Sequence, residues 1–252
     1  MKYSLILLAL LISLDTFAHE KDNLDLFGYL RSGTGTNSKG GDQECFNNVG
    51  SEGNEFRLGN ECGDFGEFGF KRYFEVEGDA RKSFLFQFRN TFAPSGHTTS
   101  DANTTINITE IFLEGKNLIS DNGTSYWAGK KFYRSNDIHM NDLFYFAAIV
   151  GNGGGVRNIP TALGKLSLAQ LREVDTDTST NYSALGLSGI TLWDARLDDI
   201  KFTENNSLKL WLGYAHAKAA AGSLDPNKKS EGYVAGGLLT TKFTQRENQF
   251  SV

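Results

Sequence analysis

Two short segments of this chain place an aromatic residue two positions before a charged one. Tyr29 precedes Arg31, and Phe65 precedes Glu67. Alternate residues of a β-strand project from the same face, so each pair would present a flat ring beside a charged group. Each pair therefore offers a stacking surface together with a group that forms charge-assisted hydrogen bonds.

Other chemistries have less support. Asp137 and His139 would share one strand face with Asp142 close by, which suggests a metal site, but we expect neither a metal nor a cofactor. No Gly-x-Ser-x-Gly elbow accompanies the four histidines, which disfavours a serine hydrolase. The glycine run at 151–155 lacks the Lys-Ser/Thr ending of a phosphate-binding loop, and we interpret it as a turn. The sequence does not predict an enzyme.

The N-terminus predicts export. One positive charge at Lys2 precedes the apolar run 5–14, and small residues at Thr16 and Ala18 fit a cleavage site. The run is too short to span a bilayer as a helix. We expect residues 1–18 to be a signal peptide and residues 19–252 to belong to one domain; the alternative is a buried N-terminal helix.

Cys45 and Cys62 are the only two cysteines. In an exported chain they can be oxidised, so we expect them to form a disulfide in a loop. A loop of this size would stabilise the fold by roughly 3 kcal/mol in the chain-entropy account. No histidine lies near either cysteine, which disfavours a zinc site. A net charge of -5 also disfavours nucleic acid as a partner.

The elements that must position these residues are strands. In 84–90, Phe84, Phe86 and Phe88 alternate with polar residues, which is a period of two rather than 3.6. The same alternation recurs at 65–70, 196–202 and 207–214, and the segments between them predict short turns that alternate with long polar loops. This pattern predicts an all-β transmembrane antiparallel barrel with roughly ten strands in this chain. A soluble sandwich also alternates, but its exposed face would not need so many aromatic residues.

The alternation continues through 248–252 without a closing strand. An open barrel edge in lipid would leave unpaired backbone groups that each cost several kcal/mol. We therefore expect residues 19–252 to be the N-terminal part of a single porin domain, with the C-terminal strands missing.

Six segments, in the same order, resemble the maltoporin family of sugar-specific outer-membrane porins. The resemblance implies a homotrimer of barrels of about eighteen strands in a Gram-negative outer membrane. Each barrel would pass sugars, and ions passively, through a channel narrowed by an inward-folded loop. The segments are 27–33, 56–62, 114–119, 127–133, 137–142 and 164–169.

The resemblance also implies roles for individual residues. Tyr29 and Phe65 match an aromatic path along which sugars slide. A polar track and constriction flank it, and the matching residues are Arg31, Arg57, Glu67, Arg134, Asp137, Asp142 and Phe144. The structural alternatives are that the aromatics belong to the membrane girdle and that Arg31, Arg57 and Glu67 only brace the wall through ion pairs.

Several positions depart from the family pattern. Phe65 and Phe144 stand where the family has tyrosine, and Thr109 and Ser135 stand where it has arginine, although Arg134 adjoins the latter. The 95–105 loop lacks a tryptophan that the family places there. Fewer arginines and a missing stacking group weaken discrimination in favour of maltodextrins. The alternatives are a channel for a different sugar and a general nonspecific porin. A barrel enzyme and a soluble carbohydrate-binding sandwich are weaker ones.

Overall fold

The computed structural model describes one antiparallel sheet. The described residues are 23–31, 38–41, 65–93, 105–135, 149–173, 189–219, 224–225, 227, 229–243 and 246–251. Within them, eleven strands pair in chain order, each with its neighbours, against the roughly ten expected. They are β1 (Leu24–Arg31), β2 (Phe65–Val76), β3 (Asp79–Ala93), β4 (Thr105–Lys116), β5 (Ser125–Tyr133), β6 (Ile149–Pro160), β7 (Lys165–Glu173), β8 (Ile190–Lys201), β9 (Asn206–Lys218), β10 (Lys229–Phe243) and β11 (Arg246–Ser251). The all-β prediction is confirmed.

The connections differ in length between the two ends of the sheet. At one end, β2 joins β3 through 77–78, β6 joins β7 through 161–164, and β8 joins β9 through 202–205. At the other end the connections are longer: residues 32–64 join β1 to β2, and residues 134–148 join β5 to β6. Short turns at one rim and long loops at the other are typical of outer-membrane barrels. In the described residues no helix has the length and hydropathy that a membrane crossing requires.

The sheet has two chemically different faces, which the strand register defines. Tyr29 opposes Glu67 and Glu67 opposes Thr91, so these side chains share what we call the polar face. The opposite side is the apolar face. The polar face carries Tyr29, Arg31, Phe65, Glu67, Gln87, Arg89, Glu110, Glu114, Lys131, Arg157, Asp194, Arg196, Asp198 and Lys209. The apolar face carries Leu26, Leu30, Phe68, Phe70, Phe86, Phe88, Leu113, Trp193, Leu210 and Leu212.

Burial is inverted relative to a soluble protein. Leu26 and Leu30 are 67% and 71% exposed, whereas Glu110 and Arg196 are only 3% and 6% exposed. Soluble monomers rarely expose a continuous apolar surface of this extent, because it would bind other surfaces or aggregate. A wall between lipid and water needs this distribution.

The glycine run at 151–155 is part of β6, so its interpretation as a turn was wrong. Its glycines permit close contact with the flanking strands. A Cβ on Gly155 would lie 2.5 Å from the Leu168 carbonyl oxygen and 2.8 Å from the Trp127 indole nitrogen. Even an alanine at Gly155 would clash with its neighbours in the sheet, so the run provides space rather than a bend.

We predict that Gly155→Ala destabilises the protein by about 1–3 kcal/mol, the usual cost of overpacking. Gly232→Ala is the matched control, since a Cβ on Gly232 of β10 has no atom within 4 Å; it should be neutral or slightly stabilising. Urea unfolding of the detergent-solubilised protein measures both changes. Equal stabilities for the two variants would contradict this role of Gly155.

Candidate functional site

The two aromatic–charge pairs lie side by side at the edge of the sheet. The alternation in β1 puts Tyr29 and Arg31 on the polar face, and the pairing with β2 sets Tyr29 opposite Glu67 and Arg31 opposite Phe65. The Tyr29 and Phe65 ring centroids are 6.2 Å apart with an angle of 45° between the planes. Tyr29 is 42% exposed, so its ring is accessible. The shared face predicted from the spacing is confirmed, and the two pairs form one patch.

An ion-pair cluster adjoins this patch and holds Glu67. The Glu67 carboxylate lies 3.5 Å from Arg89 Nη1, and Arg89 Nε lies 2.9 Å from Glu110 Oε2. Gln87 Nε2 donates to the same Glu110 oxygen at 2.7 Å. The Arg89 guanidinium also lies 4.9 Å from the centroid of the Phe27 ring. Glu67 is therefore a tethered carboxylate in a network across β2, β3 and β4, rather than a freely rotating group.

A β-bulge shapes the next part of the polar face. The register between β3 and β4 shifts after Arg89, and the Thr109 hydroxyl donates to the Arg89 carbonyl oxygen at 3.3 Å. Glu110 Oε1 accepts a hydrogen bond from the Phe132 backbone N–H at 3.1 Å. The Phe132 ring centroid lies 5.5 Å from the Arg89 guanidinium and 4.4 Å from that of Arg134. Contacts therefore run continuously from Glu67 to Arg134.

A second cluster is centred on Glu114 of β4. Its carboxylate accepts hydrogen bonds from Lys131 Nζ at 2.7 Å and from the Ser125 hydroxyl at 2.6 Å. Arg157 Nη1 lies farther away, at 3.3 and 3.4 Å from the two carboxylate oxygens. The Lys131 ammonium also lies 4.0 Å from the Phe112 ring centroid. The buried lysine therefore has both a carboxylate and an aromatic face as partners.

A third cluster, which we call the Arg196 clamp, consists of Arg196, Asp194, Trp211, Tyr133 and Ser135. Arg196 Nε donates to Asp194 at 2.8 Å, and the Trp211 indole N–H donates to the same carboxylate. The Arg196 guanidinium lies 3.9 Å from the Tyr133 ring centroid. It also donates to the Tyr133 carbonyl oxygen at 2.8 Å and to the Ser135 hydroxyl at 3.3 Å.

The Arg196 clamp fixes how the chain leaves β5. Two strands, β6 and β7, separate β5 from β8, a spacing of roughly 14 Å at about 4.8 Å per strand in a flat sheet. That is farther than an arginine side chain extends, so the end of β5 must curve towards β8. The clamp thereby ties Tyr133, the last residue of β5, and Ser135, two positions later, to β8.

The clamp and the second cluster border a cavity that we call the wall pocket. Five of its lining side chains are cationic, and one, Asp198, is a carboxylate. It is lined by Lys131, Phe132, Tyr133, Arg134, Ser135, Arg157, Asn158, Ser167, Arg196, Asp198 and Lys209. Among the residues with described positions, no group of three or more metal-ligating side chains is arranged to hold a metal ion.

The structure describes only part of the predicted site. Tyr29, Arg31, Phe65 and Glu67 come together, and Arg134 joins them only through Phe132 and Arg89. The remaining predicted residues lie outside the described part: Arg57, Asp137, Asp142, Phe144, Cys45 and Cys62. Their roles stay predictions.

Sequence reasoning missed the buried partners of the polar face. Arg89 and Arg196 had a signal, because each lies in a segment that alternates between apolar and polar residues, but Glu110 and Lys131 had none. Their partners are distant in the chain: 61 positions separate Ser135 from Arg196, and 23 separate Gln87 from Glu110. Only the register of the sheet brings such residues together.

We predict that Arg196→Met costs about 3–5 kcal/mol, because it leaves the buried Asp194 carboxylate without its cation. Arg81→Met is the control: the Arg81 side chain is 68% exposed where it pairs with Asp79, and exposed pairs contribute at most about 1 kcal/mol. The double variant Asp194→Asn/Arg196→Met should recover part of the loss. Urea unfolding in detergent tests the series, and equal effects of the two single variants would contradict the clamp.

One protein-family comparison covers all the strands described above. Residues 24–252 match the family model described as LamB porin. The matched range includes both aromatic–charge pairs, the three ion-pair clusters and the wall pocket.

Proposed function

We propose that this chain, which belongs to the LamB porin family, forms the wall of a channel through which sugars diffuse by sliding over Tyr29 and Phe65. Members of the family are β-barrel channels of the outer membrane of Gram-negative bacteria and are not enzymes. Family membership accordingly assigns this protein to that membrane and to the sugar porins. Beyond this, we propose which residues contact sugar and which sugars the channel accepts.

The orientation of the wall follows from its two faces. The apolar face carries Leu26 and Leu30, which are more than half exposed, and it faces lipid, where no hydrogen-bonding partner is available. The polar face carries paired charges and borders the channel. This orientation places the Tyr29 and Phe65 rings on the water side of the wall, where a passing solute meets them.

The observation that carries the proposal is the patch of two adjacent rings with Arg31 and Glu67 opposite them. A sugar ring can stack on Tyr29 while its hydroxyls exchange hydrogen bonds with the two charged groups. Because Arg89 holds Glu67, the carboxylate needs little reordering when a sugar arrives. Each stacking contact is worth on the order of 1 kcal/mol, which is weak enough for rapid release.

The proposal extends to features beyond the described residues. Residues 1–18 are a cleaved signal peptide, and residues 19–252 form the first part of one porin domain in a barrel of about eighteen strands. Three such barrels assemble as a homotrimer that also passes ions. Asp137, Asp142 and Phe144 lie at the constriction. Arg57 extends the polar track that includes Arg31.

A general nonspecific porin is the second candidate. One observation favours it: Thr109 stands where the family pattern has arginine and therefore adds no cation, and its hydroxyl donates to the Arg89 carbonyl oxygen. Phe65 also lacks the hydroxyl of a tyrosine. The two functions differ in whether a sugar blocks the ion current.

We predict that a linear oligosaccharide reversibly blocks the ion current of the purified trimer in planar bilayers. Tyr29→Ala should weaken this block about fivefold, the equivalent of a stacking loss near 1 kcal/mol. Leu30→Ala is the matched control, since Leu30 is the next residue on the same strand but lies on the apolar face. A current that no sugar concentration reduces, or equal block in both variants, would favour the nonspecific porin.

We also predict that Cys45 and Cys62 are joined by a disulfide. Under denaturing, nonreducing conditions a thiol reagent should label neither cysteine, and prior reduction should expose both. The Cys45→Ser variant provides the control, because it should leave one reactive thiol at Cys62. Labelling of both cysteines before reduction would exclude the bond.

A further inference from the structure

Among the described residues, cations outnumber carboxylates at the wall pocket. Its five cations face Asp198 within the lining, and two more carboxylates, Glu114 and Asp194, lie in contact with them. Asp194 forms an ion pair with Arg196, and Asp198 Oδ1 lies 3.1 Å from Lys209 Nζ. Glu114 alone serves two cations. In the described part of the chain, five cations thus meet three carboxylates here, although the whole chain carries a net charge of -5.

Arg157 has the weaker share of the Glu114 carboxylate. Glu114 already binds Lys131 at 2.7 Å and Ser125 at 2.6 Å, whereas its distances to Arg157 are 3.3 and 3.4 Å. The Lys131 side chain is 10% exposed and that of Arg157 is 38% exposed. The buried lysine therefore uses most of the Glu114 charge. Arg157 Nε and Nη2 make no hydrogen bond within the described part of the chain, so they are available to a solute.

A β-bulge adds a second polar group beside Arg157. Between Val156 and Ile159 the register of β6 against β7 shifts, so that Arg157 and Asn158 together oppose Ser167. Asn158 has a φ of 59°, and its backbone N–H donates to the Ser167 hydroxyl at 3.2 Å. Bulges re-aim side chains in this way. Here the bulge brings both a guanidinium and an amide to the lining of the pocket.

We propose that Arg157 and Asn158 bind the anionic group of an acidic sugar, a carboxylate or a phosphate, as the sugar passes along the polar face. This inference rests on the proposed function and assigns it a substrate class. A guanidinium presents parallel N–H groups that match two oxygens of either anion, and a neighbouring amide donates a further hydrogen bond. An anionic group gains a charge interaction with Arg157 that a neutral hydroxyl does not, so the subsite favours acidic sugars.

The test compares block of the ion current by trigalacturonate and by its fully methyl-esterified form, which has the same backbone without charge. The purified trimer should bind trigalacturonate more tightly, and Arg157→Gln should reduce that preference about fivefold, equivalent to a charge interaction of about 1 kcal/mol. Arg157→Lys should retain part of the preference. Raising the salt concentration should weaken block by the acid and not by the ester.

Lys71→Gln is the control, because it removes a cation of the same face that lies over the Phe27 ring in β1, outside the pocket. It should change the preference by less than about twofold, since salt screens distant charges. Glucose 6-phosphate compared with glucose shows whether the subsite accepts phosphate as well.

The outcomes separate this inference from the function on which it rests. If neutral oligosaccharides block the channel and neither anionic probe binds more tightly, the anionic subsite is wrong and the sugar channel stands. If Arg157→Gln and Lys71→Gln behave alike, the subsite is also wrong. If no probe of either kind changes the current, the proposed function itself fails.

Discussion

A sheet that separates lipid from water must satisfy every backbone group within itself and keep its charges on one side. Because side chains alternate along a strand, this constraint reaches every residue: Leu30 lies on the lipid side, and its neighbours Tyr29 and Arg31 lie on the other. A slip of one residue in any pairing would exchange the faces and expose charges to lipid. The register of the strands is therefore the feature on which the rest of the structure depends.

Charges confined to one face have to be paired there. Glu110, Glu114 and Asp194 each sit among cations and hydrogen-bond donors from their own strand or nearby strands. The resulting clusters fix other side chains of the polar face. Arg89 pairs with Glu67 beside the aromatic patch, and Arg196 ties Ser135 to β8. If the proposed function holds, the interactions that stabilise the wall also organise the solute path.

The sequence predicts the strands well, because a boundary between lipid and water requires apolar and polar residues to alternate along each strand. This alternation is visible in short segments of the sequence. The sequence also predicts that Tyr29 shares a face with Arg31 and that Phe65 shares one with Glu67, since a spacing of two fixes a shared face, but only the register of β1 against β2 joins the two pairs in one patch. It fails at 151–155, where the glycines predict a turn; they lie instead within β6 and leave space for the Trp127 indole of β5. It also misses Glu110 and Arg196, because their partners come from strands whose register no local pattern reveals.

The central claim is that Tyr29 and Phe65 face a water-filled path occupied by sugar, while their strand neighbours face lipid. Single cysteines at Tyr29, Leu30, Phe65 and Phe68, each placed in a Cys45→Ser/Cys62→Ser background, test it with a charged, membrane-impermeant thiol reagent. The account predicts rapid labelling at Tyr29 and Phe65, slowed by a saturating linear oligosaccharide, and little labelling at Leu30 and Phe68. Equal labelling of all four positions, or labelling at Tyr29 and Phe65 that sugar leaves unchanged, would contradict it.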